Sequence, residues 1–439
     1  MSSELFSASH SIFRFHGERN RLLAEAHARP STPLPSPTLA TRIAAFSVNE
    51  GPERDREHMV ALCRRLGAAE PGVGARWCML DAGRWRLRWE RHTEVSTWTF
   101  YRQIGDDHMP SLEETALDLA PRDWLSQLPG EILVAAHITL LRTRPSDAAV
   151  ADEEEVAVEV ADGAAHVFTD FRPGPDTFTR MLVVQPTADA VLAGRIVQQL
   201  FEIETYRLMA LLAFPIAGKA GAELSRLETL ASDAALQVIE EGGIEADRAL
   251  LNRLAGLAGE AQSLAGRASF RFSASRAYYG LVQERIQQLR ERRVSGRLTI
   301  AEFMERRLAP AMRTCAAVGE RLQRVIEHIS TTSQLLNTRV DVAAEVTNAN
   351  LLASMDRRAR LQLRLQQTVE SLSVAAISYY ALGLLAYPFK AVSELNAWFD
   401  PALAIGIAAP IVIALVWLAL WRMRARLHRE DAASRSPRS

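Results

Sequence analysis

The residues best suited to chemistry fall in two short clusters, and the first lies near the start of the chain. Glu25, His27 and Arg29 precede Pro30 in the run EAHARP. A carboxylate, an imidazole and a guanidinium this close together could transfer protons or bind a phosphate group. Histidine and arginine are also favourable at the C-terminal end of a helix, which the prolines would stop here. The pattern favours this structural interpretation over a catalytic one.

The second cluster lies in the run WERHTE, where Glu90, His92 and Glu94 alternate. Alternate residues of a strand share a face, so these three side chains could converge on a cation. The pattern favours the alternative that they form a solvated turn between two strands. The other histidines are scattered, and no Cys/His pairs occur at zinc spacing. We therefore predict no metal site and no cofactor.

Familiar enzyme signatures are missing from the sequence. It contains no G-x-x-x-x-G-K-S/T phosphate loop, no G-x-G-x-x-G, no G-x-S-x-G and no H-E-x-x-H. Cys63, Cys78 and Cys315 are too few for a disulfide framework, and we expect buried thiols in a reducing compartment. The sequence favours a protein that is not an enzyme.

Alternating apolar and polar residues predict a sheet in the first 187 residues. Trp85, Leu87 and Trp89 alternate with charged residues, which is typical of a strand with one buried face. A helical segment at 54–66 interrupts the strands, and the acidic, alanine-rich segment 142–163 is expected to loop out. An α+β domain over residues 1–187 follows from this mixture. The predicted strands are 40–48, 76–80, 84–90, 95–102, 132–141 and 179–185.

From residue 188 the pattern is helical. A helix over 188–214 should end at Pro215, and Gly242, Gly243 and Gly266 should separate three further helices at 219–241, 245–267 and 273–293. The block 320–382 contains no glycine or proline, although the polar run 330–333 could interrupt it. We predict a long-helix, coiled-coil-like stalk over 188–367. Apolar or small residues recur towards its end, mainly at intervals of three, four and seven positions. They are Val318, Leu322, Val325, Ile329, Leu336, Val340, Ala343, Thr347, Leu351, Leu361, Leu365 and Leu372.

Two uncharged segments near the end, 371–389 and 401–421, are long enough to cross the ~30 Å hydrocarbon core of a bilayer as helices. They predict a two-helix transmembrane hairpin over 368–421, followed by a basic, disordered tail at 422–439. The fold class is thus an α+β domain, a long-helix stalk and a C-terminal hairpin, mostly α overall.

Basic residues indicate the orientation of this hairpin, because they collect at the cytoplasmic ends of spans. Arginines precede the first span and follow the second, whereas the connecting segment holds Lys390 alone. No secretory signal is expected at the N-terminus. We predict both termini in the cytoplasm of a bacterium, an outer loop at 390–400 and a location in the inner membrane. The expected interfacial anchors are Trp398, Trp417, Trp421, Arg422 and Arg424.

Composition excludes several classes of protein. The 439 residues are 48% hydrophobic and 23% charged, which excludes a disordered chain. Lys and Arg number 51 against 52 Asp and Glu, and this balance argues against a nucleic-acid-binding protein.

Five stretches of the sequence carry a family resemblance. They are FHGERNRLLAEAHARP (15–30), LRWERHTEVSTWTF (87–100), FRFSASRAYY (270–279), RRLAPAMRTC (306–315) and the run 335–380. Together they resemble a bacterial family of uncharacterised, membrane-anchored proteins, a domain-of-unknown-function family. The resemblance covers nearly the whole chain and implies an inner-membrane protein with a large cytoplasmic part. It implies no activity and no catalytic residues.

The layout alone also resembles CorA-type magnesium transporters, in which a long helix runs into the first span. That family ends its first span with Tyr-Gly-Met-Asn, whereas Tyr387, Pro388, Phe389 and Lys390 stand here. A lysine at the mouth of a cation pore is unfavourable. We therefore expect a membrane-anchored scaffold or interaction protein that contacts the lipid bilayer and forms homo-oligomers, with a CorA-like channel or transporter as the alternative.

Overall fold

The computed structural model describes residues 15–19, 22–23, 31–46, 51–106, 108–111, 113–144, 156–239, 242–395 and 400–434. The chain divides into two compact units. Unit 1 comprises Met1–Gly242 and Ala249–Gln334, and unit 2 comprises Gly243–Arg248 and Leu335–Ser439.

A nine-stranded mixed sheet is the centre of unit 1, in the order β2-β3-β4-β1-β5-β8-β7-β6-β9. The β5–β8 pair is parallel, and the other neighbouring strands pair antiparallel. The six predicted strands are confirmed within two residues at each end. The strands are β1 (Thr38–Phe46), β2 (Trp77–Asp81), β3 (Arg86–Arg91), β4 (Val95–Gln103), β5 (Glu131–Leu141), β6 (Val156–Val160), β7 (Ala165–Pro173), β8 (Thr179–Val184) and β9 (Arg292–Arg293).

One face of this sheet carries an aromatic core. The alternation predicted for β3 places Leu87 and Trp89 here, opposite Phe100 and Trp98 of β4. Helices α1 (Pro52–Leu66) and α2 (Arg122–Leu125) cover this face with residues that include Met59. All five side chains are buried, and aromatic rings contribute much of the buried apolar area that stabilises such a core.

The opposite face of β1, β3 and β4 carries charged side chains that are nevertheless buried. Arg42, Arg88 and Glu90 are each at most 5% exposed because helix α3 (Ala190–Leu211) covers this face. The extended segment 31–37 also lies against α3, since the Leu34 amide donates to the Ala190 carbonyl at 2.8 Å.

Helices α4 (Ala213–Ile239), α5 (Ile244–Leu289) and the start of α7 pack together in unit 1. Arg321 of α7 pairs with Glu228 of α4, and Ser275 of α5 lies 3.3 Å from the Met312 sulfur of α7. Buried residues alternate at spacings of three and four, the heptad pattern of helices that interdigitate. They are Ala213, Ala217, Ala220, Leu224, Leu227, Ala231 and Ala234 in α4, Leu250, Leu254, Leu257, Ala261, Leu264 and Ala268 in α5, and Val318, Leu322, Val325 and Ile329 in α7.

The remaining helices are α6 (Ile300–Arg307), α7 (Ala309–Leu395) and α8 (Pro401–Ser434). The predicted interruption of α7 at 330–333 is wrong, because its hydroxyl groups bond to carbonyls within the helix, Thr332 to His328 and Ser333 to Ile329, both at 2.8 Å. In unit 2, Leu336 is fully buried, and Arg339 pairs with Asp247 at 3.1 Å.

Several predicted boundaries are wrong. The segment 142–163 does not simply loop out, because β6 and a 3-10 turn occupy 156–163, while 145–155 lie outside the described residues. The helix break precedes Pro215, which lies in the first turn of α4, where the missing N–H costs nothing. Gly266 lies inside α5. Separately from these boundaries, the described backbone is helical over 390–395 and 422–434, within the segments predicted as the outer loop and the tail, and those two predictions stay predictions.

Two histidines, the buried His137 and the half-buried His58, face the aromatic side of the sheet. His137 of β5 lies 2.8 Å from the Thr41 hydroxyl through Nδ1 and stacks on Phe178. His58 of α1 stacks on Trp124. Burial lowers the pKa of each imidazole to about 4, so both are neutral at pH 7.

Substitution of Gly194 tests the close approach of the extended segment 31–37 to helix α3. A Cβ at Gly194 would lie 2.0 Å from the Thr32 carbonyl oxygen, so Gly194→Ala forces backbone to move and should cost about 1–3 kcal/mol of unfolding free energy. Gly218→Ala in α4 is the matched control, because a Cβ there meets nothing within 4 Å. Denaturant titration followed by tryptophan fluorescence measures both. Equal stability of the two variants would contradict the close contact.

The lowered pKa values of His58 and His137 predict that the folded chain loses stability in mild acid. Their pKa is lower in the folded chain than the 6.5 of the unfolded chain, so their contribution is complete above pH 6.5 and is lost as the pH falls towards 4. A shift of this size corresponds to at most about 3 kcal/mol for each group. Unfolding free energies between pH 7 and 4 should show this slope, and His137→Gln should reduce it. A slope identical in the variant and the wild type would refute the assignment to His137.

Candidate functional site

A cavity of about 360 Å³ lies in unit 1 between the polar face of the sheet and helices α3 and α5. The β3–β4 turn and β1 form its floor, and polar side chains line it alongside apolar ones. Its lining residues are Arg42, Glu90, His92, Thr93, Val95, Thr97, Gln198, Glu202, Thr205, Tyr206, Met209, Tyr278, Leu281 and Arg285.

Arg42 of β1 is the most enclosed cation of this cavity, at 4% exposed. Its Nε donates to the Thr99 hydroxyl at 2.9 Å, and its guanidinium lies over the Phe201 ring with 4.9 Å between the Cζ atom and the ring centroid. These two contacts fix the orientation of the guanidinium plane. Within the described part of the chain, no side chain or carbonyl accepts a hydrogen bond from its two terminal nitrogens.

The two carboxylates of the cavity are paired with other arginines. Glu90 accepts from Arg88 at 2.9 Å. Burial favours the protonated form of Glu90, but the charges of Arg42 and Arg88 outweigh it and hold the pKa of Glu90 below its ordinary value. Glu90 is therefore ionised at neutral pH. Glu202 pairs with Arg285 of α5.

Two tyrosines form the helical wall. The rings of Tyr206 and Tyr278 stack with centroids 5.9 Å apart. Burial raises the pKa of both hydroxyls, so both are neutral at pH 7. The Tyr278 hydroxyl donates to Glu94 at 3.0 Å, and Arg271 pairs with the same carboxylate at 2.7 Å. The wall thus carries neutral hydrogen-bonding groups beside charged ones.

The cluster of Glu90, His92 and Glu94 surrounds the β3–β4 turn, but it is not uniformly solvated. Glu90 and Glu94 are 5% and 7% exposed and bind different arginines. His92 Nε2 lies 3.4 Å from the Thr97 hydroxyl. Among the residues that the structure describes, no group of three or more His, Cys, Asp or Glu side chains could hold a metal ion.

The other predicted residues lie elsewhere. Glu25, His27, Arg29 and Trp398 fall outside the described residues. Trp417, Trp421, Arg422 and Arg424 belong to helix α8, where both tryptophan side chains are more than half exposed.

Sequence reasoning missed most of the cavity. Arg42 is the one charged residue of a largely apolar strand, TLATRIAAF, and a charge in such a strand was the available signal. Glu202, Tyr206 and Arg285 lie on helices whose faces could not be assigned without knowing that α3 crosses the sheet. The stretch FRFSASRAYY contains Tyr278 and Arg271, yet no pattern indicated that they meet Glu94.

A second surface of interest lies in unit 2, on α7. Beyond residue 340 many of its large apolar side chains are more than half exposed, in contrast to the buried stripe at its start. They are Val342, Val346, Leu351, Leu352, Met355, Leu361, Leu363, Leu365 and Val369, and we call them the exposed apolar stretch.

Three helical stretches of the described chain are long and apolar enough to cross a membrane, judged by length and composition. They are Ala190–Ile239, Ala309–Val392 and Pro401–Arg422. The first packs within unit 1, where α3 buries Ile196, Val197 and Leu200. The most apolar windows of the other two are 6% and 0% buried within the molecule, so these two retain apolar surface that lipid could cover.

Comparison with protein families gives a match to the model described as "Protein of unknown function (DUF3422)" over residues 14–427. No curated protein matches the chain. The family model therefore covers both the cavity and the exposed apolar stretch without assigning an activity to either.

Glu94→Gln tests the ion pair beside the cavity. The amide can still accept from Tyr278, but it leaves the guanidinium of Arg271, which is largely buried, without its counter-charge, so the unfolding free energy should fall by about 2–4 kcal/mol. Glu260→Gln is the control, since the Arg226–Glu260 pair is exposed and should contribute about 0–1 kcal/mol. Denaturant titration compares the two. A Glu94→Gln loss no larger than that of the control would contradict this role.

Proposed function

The chain belongs to the DUF3422 family, and from that premise we propose that it is a membrane-anchored, cytoplasm-facing scaffold that associates with further copies of itself through the exposed apolar stretch of α7. The proposal includes no catalytic step.

The observation that carries this proposal is the change along α7. Val318 to Ile329 are buried within unit 1, whereas Leu351, Leu361 and Leu365 are more than half exposed although the heptad-like spacing continues. Exposed leucine costs about 25 cal/mol for each Å² that remains in water. Packing against a second helix removes this cost, and leucine at heptad spacing fits a second copy of the same helix.

The charges of this region support the proposed orientation of α7 relative to the membrane. Acidic residues, Asp341 and Glu345, lie at the start of the exposed stretch, whereas Arg357, Arg358 and Arg364 lie towards the apolar segment. A basic cluster beside an apolar segment suits the anionic surface of a cytoplasmic leaflet.

Membrane anchoring would use the two predicted spans, 371–389 and 401–421, as a hairpin. Neither contains an ionisable acid or lysine or arginine, and arginines flank the pair on the side proposed to be cytoplasmic. Trp417, Trp421, Arg422 and Arg424 would anchor the inner end and Trp398 the outer end. We retain the domain bounds 1–187, 188–367, 368–421 and 422–439 as part of this proposal.

A CorA-like channel is the second candidate. The feature in its favour is α7, a single helix of 87 residues that runs from unit 1 into the apolar segment. The sequence from Tyr387 to Lys390 argues against divalent-cation selectivity, because it departs from the Tyr-Gly-Met-Asn motif and ends in a lysine. The number of subunits distinguishes the two, because a pore requires a closed ring of copies around an axis.

Accessible cysteine labelling tests the topology. Asp400→Cys lies in the predicted outer loop and should react with a membrane-impermeant maleimide in spheroplasts, because the membrane does not cover it. Val73→Cys, at a position 92% exposed in unit 1, should react only after permeabilisation. The wild type measures background from its own thiols. Labelling of Val73→Cys in intact spheroplasts would exclude a cytoplasmic unit 1.

Substitution within the exposed apolar stretch tests self-association. Leu361→Asp with Leu365→Asp places like charges on the proposed seam and should lower the subunit number of the detergent-purified protein, because the apolar contact is lost. Gln362→Asp with Gln366→Asp has the same spacing and added charge on a neighbouring face, and should keep the wild-type subunit number. Light scattering gives the mass. A wild type that is monomeric would rule out the scaffold of several copies and the channel alike.

A further inference from the structure

We propose that the cavity around Arg42 is a binding site for a small organic anion, whose carboxylate or phosphate group is held by the terminal nitrogens of Arg42. The inference concerns unit 1 and does not depend on self-association or membrane anchoring. It rests on the charges, the orientation of the guanidinium and the shape of the cavity.

The charges around the cavity do not balance. Three guanidinium groups share two carboxylates, since Arg88 pairs with Glu90 and Arg285 pairs with Glu202. Arg42 forms no ion pair of its own within the described chain, although its charge and that of Arg88 both act on Glu90. Two buried cations thus share one carboxylate, so an anion in the cavity would add the missing counter-charge and stabilise the folded chain.

The guanidinium of Arg42 is already oriented for such an anion. The Thr99 hydroxyl holds Nε at 2.9 Å, and the ring of Phe201 covers one face. The terminal nitrogens therefore remain for a ligand, in the planar fork that matches two oxygens of a carboxylate or phosphate. Because these contacts fix the fork in advance, little side-chain entropy is lost on binding.

The rest of the cavity suits an organic group rather than an inorganic ion alone. Val95, Met209 and Leu281 supply apolar surface, and Tyr206 supplies a ring and a neutral hydroxyl. The volume of about 360 Å³ lies at the lower end of the range of small-molecule sites. The ligand class is thus a compact molecule with one anionic group and an apolar or aromatic body.

Isothermal titration calorimetry on the full-length protein in detergent tests the proposal with three probes of similar size. Phenyl phosphate and benzoate carry the two kinds of anionic group, and benzamide is the neutral control. We expect saturable binding of at least one anion at one site per chain, with no binding of benzamide. Binding of only one anion identifies the group that the site prefers. Failure of both anions to bind at millimolar concentrations, or equal binding of benzamide, would overturn the proposal.

Three variants locate the bound anion. Arg42→Gln removes the fork and should weaken binding about tenfold or more, as expected for charge-assisted hydrogen bonds. Arg195→Gln, at an exposed position of the same covering helix α3, should bind as the wild type does. Tyr206→Phe removes a single hydroxyl, keeps the ring and should weaken binding several-fold. Should Arg42→Gln fail to fold, unchanged affinity in Tyr206→Phe overturns the site, and so does wild-type affinity in a folded Arg42→Gln.

Discussion

The organisation of unit 1 depends on the cost of burying charge between a sheet and a helix. Strands β1 and β3 carry arginine and glutamate on the face that α3 covers, and each buried charge requires a partner or a cavity. Arg88 and Glu90 meet this requirement by pairing with each other at 2.9 Å. The buried charge of Arg42 is compensated only in part, by a hydrogen bond to the Thr99 hydroxyl and by the Phe201 ring. The cavity lies where the pairing is incomplete.

Local patterns predicted much of this fold because the decisive interactions were local. The alternation around Trp85, Leu87 and Trp89 is a property of one strand, and it placed β3 and the aromatic face correctly. Strands β6 and β7 were missed because the acidic, alanine-rich composition before them hid a short apolar strand, VAVEV. Its pairing with β7 and β9 is tertiary information.

The candidate site was harder to predict, because it is assembled from five elements, β1, β3, β4, α3 and α5, that span about 240 residues of the chain. Glu94 lies 184 positions from Tyr278 in the chain, yet its carboxylate accepts a hydrogen bond from the Tyr278 hydroxyl at 3.0 Å.

The stripe of apolar residues along α7 was also only partly predictable from the sequence. Its spacing predicted a partner helix, but spacing does not distinguish a partner in the same chain from one in another copy. The structure places the stripe from Val318 to Ile329 against the chain's own helices and leaves Leu351 to Leu365 uncovered.

The strand order has a consequence for solubility. The longest strands, β1, β4, β5 and β7, lie inside the sheet, whereas the outermost strands are β2 with five residues and β9 with two. An outermost strand offers unpaired amide and carbonyl groups to other chains, and short ones offer few. Contact between copies of the chain would therefore seldom lead to intermolecular β-pairing or amyloid-like deposits, because such growth needs a long, flat edge to begin from.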